Sequence, residues 1–235
     1  MLEMAFLIVT AAIFITIVGV ALFVVPLTSS SSESFGIFNF IRTVLFVGGL
    51  LLGLVGVGLA VRAFTYKMEN DLALRVGQVL AVHLDDRYTF IRNISKRRLG
   101  YIDAALIGPA GVLVFRVVDF EGTFINEAGK WLKERRPGEL VPTMTNPTQD
   151  VVDDIKNLRD YLAEHDLREV PIFGVVVLTN DDPVARLTLK DPVLPATHLS
   201  SLHTRLQRNY LAKQDRMGTP MIRAIVKLLY GENIA

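Results

Sequence analysis

The chain has 235 residues, 51% of them hydrophobic and 21% charged, and its mean hydropathy of +0.38 is high for a protein with that many charges. Lys and Arg total 25 against 24 Asp and Glu, so no global positive charge drives the chain toward nucleic acid. There is no cysteine, which excludes a disulfide framework, thiolate metal ligation and a cysteine nucleophile.

Charge is unevenly spread. Between Met1 and Val61 only Glu3, Glu33 and Arg42 are charged, leaving 24 Lys and Arg against 22 Asp and Glu for the rest. Met4 to Leu27 and Thr43 to Val61 carry no charge at all, and a helix needs about 20 apolar residues to cross the hydrocarbon core. Residues 1–67 therefore read as a two-helix transmembrane anchor. Pro26 closes the first span, and Ser29 to Ser32 with Glu33 and Ser34 make a short polar hairpin. The first span lacks the basic n-region and the small-residue exit of a cleaved signal peptide. Arg62 and Lys67 follow the second span while the connecting loop offers only Arg42, so the positive-inside rule places both termini in the cytoplasm. Gly49, Gly53, Gly56 and Ala60 recur at helical spacing, as do Ala12, Thr16 and Gly19. Small-residue stripes let helix backbones approach closely in lipid. They serve either the packing of the two spans on each other, the reading favoured here, or a homodimer seam.

Residues 68–235 read as a mixed α/β domain. Met68 to Leu84 has the pattern of an amphipathic helix and ends at Asp85-Asp86. Strands are expected at Tyr88 to Ile94, Tyr101 to Ile107 and Val112 to Val118, with Gly108-Pro109-Ala110-Gly111 as the second turn. A smaller hairpin spans Gly122 to Asn126 and Lys130 to Glu134. Thr148 to Glu164 is a second amphipathic helix with Val151, Val152, Ile155, Leu158 and Leu162 inward. Val170 to Leu178 is apolar throughout, as in a strand buried on both faces. A weaker strand follows at Leu187 to Leu194, then closing helices at His198 to Leu211 and Pro220 to Tyr230, the last with Thr219 as its N-cap.

Several pieces of this domain occur in a characteristic order. They are Tyr101-Ile102-Asp103-Ala104-Ala105-Leu106-Ile107-Gly108-Pro109-Ala110-Gly111-Val112-Leu113-Val114-Phe115, then Gly122, Trp131, Asn146-Pro147-Thr148-Gln149 and Pro171-Ile172-Phe173-Gly174-Val175-Val176-Val177. The set resembles the NERD family, the nuclease-related domain, over approximately Leu72 to Leu202. The resemblance implies a restriction-endonuclease-like fold with the PD-(D/E)xK core. Members of this kind carry an acid after a glycine in the first helix, an aspartate on the second strand and Glu-x-Lys on the third. Here the acid position is Gln78, the aspartate is kept as Asp103, and the Glu-x-Lys positions hold Arg116 and Val118. Gln149 matches a polar family position at the second helix.

Metal-dependent phosphodiester hydrolysis needs Mg²⁺ or a similar hard cation held by carboxylates, and a group that activates water. Arg116 puts a fixed positive charge where the cation belongs, and valine transfers no proton. Asp119 and Glu121 face away from positions 116 and 118, because side chains alternate across a strand. Asp71 lies two helical turns before Gln78, too far to replace it. The reading is a nuclease-related domain without cleavage, with a binding, scaffolding or sensing role and no cofactor. The alternatives are a remodelled nuclease, which would need Mg²⁺, and an accessory subunit of a membrane complex. Asp103, Arg116 and Gln149 are expected to converge, with Arg116 paired to Asp103 in place of the metal.

Asp150, Asp153 and Asp154 gather carboxylates on one helix and read as a solvated face rather than a metal site. Two basic clusters, Arg92, Lys96, Arg97 and Arg98, and Lys130, Lys133, Arg135 and Arg136, are candidates for holding nucleic acid or anionic headgroups, against the plainer reading of solvated faces. Partners expected are the lipid bilayer and either nucleic acid or another membrane protein. Trp131 reads as structural.

Overall fold

The structure, a computed structural model, describes residues 2–25 and 34–230; the backbone alone is described at 2–5 and 62–70. Pro26 and the serine run up to Glu33 lie outside the described residues. The chain divides into two compact units, Met1–Met68 and Glu69–Ala235.

The first unit is built on two long apolar helices, α1 (Leu2–Val24) and the N-terminal part of α2 (Phe35–Ala81). Phe6–Val24 and Phe35–Val61 are each long and apolar enough to cross a membrane, and only 11% of each apolar window is buried. A core helix of a soluble protein would be mostly buried; here Phe6, Phe14, Ile17, Phe40 and Leu54 all stand exposed. The glycine stripe faces α1 within the same chain. A Cβ on Gly49 would strike Thr16, one on Gly56 would lie 2.7 Å from Val9, and one on Gly19 would lie 2.7 Å from the Phe46 backbone. Gly53 lies over Ala12. The small residues are thus used for the close approach of α1 and α2. Arg42 sits inside α2 rather than in a loop, with its guanidinium 4.3 Å from the Phe23 ring centroid.

One expectation fails at the start of the second unit. The amphipathic helix is not a separate element: α2 continues to Ala81 without a break. Between Val61 and Met68 the charge changes, but no proline or glycine interrupts the backbone.

The second unit is a two-sheet α/β domain. The larger sheet has the order β1 (Thr89–Lys96), β2 (Gly100–Gly108), β3 (Gly111–Val118), β7 (Ile172–Leu178) and β9 (Ala196–His198). β1, β2 and β3 are antiparallel in turn, while β7 and β9 add in parallel. Ala73, Val76 and Leu80 of α2 and Tyr210 cover the face of Leu113, Phe115 and Val117. The opposite face, with Val112 and Val114, is covered by Leu158 and Leu162 of α3 (Pro147–Ala163) and by Ile225 and Leu229 of α5 (Thr219–Tyr230). Gly108 permits the close approach of Tyr88, and Gly111, at φ +144°, leaves no room for a side chain beside the Pro171 carbonyl.

The second sheet has the order β6 (Glu139–Pro142), β5 (Lys130–Arg136), β4 (Gly122–Glu127) and β8 (Ala185–Lys190). Ala128 and Gly129 both take positive φ, as a two-residue hairpin turn between β4 and β5 requires. The sequence reading missed β6 and β9 and joined all strands into one small sheet. It also placed a helix from His198, where β9 is followed by a 3₁₀ turn (Leu199–Ser201), α4 (Leu202–Leu206) and a π turn (Gln207–Leu211).

A candidate site at the start of the second domain helix

The motif Asn146-Pro147-Thr148-Gln149 is the start of α3, and each residue has a separate task. Asn146 is the N-cap, its Oδ1 accepting from the Gln149 amide at 3.1 Å. Pro147 occupies the first helical position, where no N–H is needed. Thr148 is buried, and its Oγ1 accepts from Trp131 Nε1 at 2.8 Å and from Asn126 Nδ2 at 3.0 Å. Those bonds tie α3 to the β4–β5 hairpin and give Trp131 a structural role. Gln149 points outward, its Nε2 donating to Asp153 Oδ1 at 3.0 Å.

One residue further, Asp150 turns toward the sheet. Arg116, near the end of β3, places Nη1 3.1 Å from Asp103 Oδ1 and Nη2 2.9 Å from Asp150 Oδ2. Its Nε also donates to Asp150, at 3.2 Å. Asp103 is only 4% exposed. The β2–β3 ladder stops at the Ala104–Phe115 pair, and the Val117 amide donates to Asp103 Oδ2 at 2.8 Å instead. The carboxylate thus substitutes for a strand carbonyl while holding the arginine. Across the sheet, the β1–β2 register skips Asn93, which sits opposite Asp103 in the left-handed region at φ 54°.

Asp154, one helical turn after Asp150, completes the cluster. It is 8% exposed, and its Oδ2 is buried with no hydrogen-bond partner. Burial pushes its carboxyl up to about 7, with Asp103 and Asp150 adding to the rise against the pull of Arg116. Burial likewise raises the Asp103 carboxyl, despite Arg116 and the Val117 amide. Burial alone disfavours the Arg116 cation, but Asp103 and Asp150 outweigh it and hold the guanidinium more firmly charged. One guanidinium therefore pairs with two carboxylates and acts on a third, Asp154, through its charge alone.

Asp103 and Arg116 come together as expected, but the helix α3 partner is Asp150 and not Gln149. Gln78 is exposed on α2, which packs on the face of the sheet opposite α3. Val118 is half-buried beside Phe120 and Phe124. The acidic helix face is not simply solvated: Asp153 is exposed, but Asp150 pairs with Arg116 and Asp154 is buried. The signal was present in the spacing. Positions 147, 151, 154, 158 and 162 form the buried stripe of α3, so Asp154 occupies an inward position. Val152, expected inward, is exposed.

The two basic clusters line separate cavities. Lys96, Arg97 and Arg98 surround the β1–β2 turn beside Tyr161, Glu164 and His165. Lys133 and Arg135 line a hollow with Phe120, Phe124 and Met144, where the Lys133 Nζ lies 5.4 Å from the Phe124 ring centroid. Arg92 and Lys130 are exposed on their strands, and Arg136 lies 4.0 Å from Glu139.

The residues of the cluster do not fit a divalent cation. The Arg116 guanidinium lies between the two carboxylates that would have to share it, and among the described residues no group of three or more His, Cys, Asp or Glu has the geometry to hold a metal. No curated protein and no solved structure matches the chain. The family model for the nuclease-related domain matches residues 69–179. The Asp103 strand, the Gly-Pro-Ala-Gly turn, the α3 start and β7 all fall within that stretch, so the chain carries a nuclease-related domain, in keeping with a place in the PD-(D/E)xK superfamily.

Proposed function

We propose that this protein is a membrane-anchored nuclease-related domain that does not cleave phosphodiesters and serves a binding, scaffolding or sensing role. The observation that carries this reading is Arg116, whose guanidinium lies 3.1 Å from Asp103 and 2.9 Å from Asp150. A fixed cation there neutralises the carboxylates that a hydrolytic metal would need, and it neither activates water nor leaves. The anchor is the α1–α2 hairpin. Nineteen residues of α helix cover about 28 Å, close to the hydrocarbon thickness. Each large apolar side chain left in water instead would cost roughly 1.5–3 kcal/mol. Arg62 and Lys67 after the second span support a cytoplasmic domain by the positive-inside rule. Because the chain lacks cysteine, a single one introduced at Ser200 reports that side: labelling by an impermeant maleimide in intact cells would contradict it.

Detergent-solubilised full-length protein, shown folded by circular dichroism, should leave single- and double-stranded DNA and RNA intact with Mg²⁺ or Mn²⁺. Cleavage that disappears in Asp103→Ala would overturn this reading in favour of a second one, a remodelled nuclease. That alternative draws on Asp154, a buried carboxyl with an unpartnered oxygen beside the cluster.

A further inference from the structure

We propose that the pocket between the β1–β2 turn and the C-terminal end of α3 binds a phosphate monoester, with Lys96, Arg97 and Arg98 as its cationic wall. This pocket shares no residue with the Asp103–Arg116–Asp150 cluster and does not rest on the reading given to that cluster.

The turn is fixed by its one apolar member. Leu99 is 1% exposed and packs in the core with Leu158 and Leu162, so the three preceding cations are carried to the last turn of α3. There they line, with Tyr161, Glu164 and His165, an open hollow of about 430 Å³. Small-molecule sites commonly run from about 300 to 1,000 Å³, so the hollow is large enough for a phosphate with its ester substituent. Arg98 is committed to Glu164 at 3.0 Å, which holds the wall in place. Lys96 and Arg97 make no ion pair among the described residues. The imidazole of His165 is held by its Nδ1, which donates to the Tyr161 carbonyl at 2.8 Å and sets the two rings 4.7 Å apart.

Charge decides the class of ligand. The C-terminal end of a helix carries about half a negative elementary charge. Together with Glu164 it offsets about half of the three cations, leaving an excess of about one and a half positive charges. A phosphate monoester at neutral pH carries about −1.5 to −2, whereas a diester or a carboxylate carries only −1. Guanidinium forks and an ammonium are the side chains best suited to such oxygens. The monoester has two sources, a soluble compound or the headgroup of a phosphatidic-acid-type lipid, and the test separates them.

The test is lysine footprinting of the full-length protein in lipid nanodiscs at 150 mM salt, with Lys156 as the internal reference. In neutral phosphatidylcholine discs, glycerol 3-phosphate is added as the soluble probe. In a second arm, phosphatidic acid is built into the disc, and discs of equally charged phosphatidylglycerol serve as the diester control. The expected result is at least threefold slower acylation of Lys96, but not of Lys156, with one of the two monoesters, and a several-fold loss of that protection in Arg97→Ala. Protection by the soluble probe assigns a soluble ligand; protection only by phosphatidic acid assigns a headgroup. The proposal is overturned if neither monoester protects Lys96, if phosphatidylglycerol protects it equally, or if folded Arg97→Ala is protected like the unaltered protein.

Discussion

The first turn of α3 holds two polar sites built on opposite principles. Around Thr148, one hydroxyl accepts from Trp131 and Asn126, and every group in the buried clamp is neutral and paired. Around Asp150, two residues along the chain, two carboxylates share the Arg116 guanidinium of β3, and a nearby Asp154 oxygen has no partner. The clamp is what a fold needs to dock a helix on a hairpin. The charged cluster is more than docking requires, since a buried ion pair often contributes no more than an apolar pair of the same size. The contrast separates a clamp that docks the helix from a charged cluster that, on the proposed reading, stands in for a metal site.

Breaking the charged side should cost most. Arg116→Ala leaves Asp103 buried without its cation and removes the positive charge that favours the ionised form of Asp154. A loss of about 3 kcal/mol is expected by urea unfolding, at the lower end for a broken buried pair because Arg116 and Asp150 are partly exposed. A loss below about 0.5 kcal/mol would mean that water already solvates the cluster.

Asp154 sharpens the comparison through pH. Its carboxyl titrates at about 7 in the folded chain against an ordinary value of 3.8, so the folded state keeps a proton that the unfolded chain releases. The contribution of Asp154 to stability is therefore complete below about pH 4, falls as pH rises toward 7, and levels off above it. Asp154→Asn removes the ionisation, so its melting temperature should depend less on pH between 4 and 7. Above pH 7 it should exceed the unaltered protein by about 2 kcal/mol, a figure reduced for coupling to Asp103 and Asp150. A variant less stable than the parent at pH 8 would contradict the charge account.

On the neutral side, Thr148→Val strands the Trp131 and Asn126 donors and should cost about 1–2 kcal/mol. That loss should be the same at pH 5 and pH 8, because no group in the clamp titrates there. A pH-dependent loss would show that the two sites are coupled.

The sequence carried much of this, and its failures have physical causes. Period-two and apolar runs revealed β2, β3 and β7, and the Gly108-Pro109-Ala110-Gly111 turn marked the hairpin between the first two. The pairing of Asp103 with Arg116 was implied by the family resemblance, which puts both at the positions where the family holds its metal. The edge strands β6 and β9 have four and three residues, too short for alternation to register. The division of α2 followed the change in charge near Arg62, but helices end at breakers and caps, and none lies there. The acids of α3 were read as a polar face because carboxylates gathered on one helix ordinarily face solvent. Only the three-and-four spacing of the buried stripe distinguishes Asp154, and Asp150 is drawn in by Arg116, a long-range contact invisible along one helix.

The most direct test of the central claim, that an arginine has taken the place of a catalytic metal, is calorimetric titration of the full-length protein with Mg²⁺ at pH 7.5. The account expects no binding at millimolar Mg²⁺ and no rise in melting temperature. Stoichiometric binding that vanishes in Asp103→Asn would contradict it.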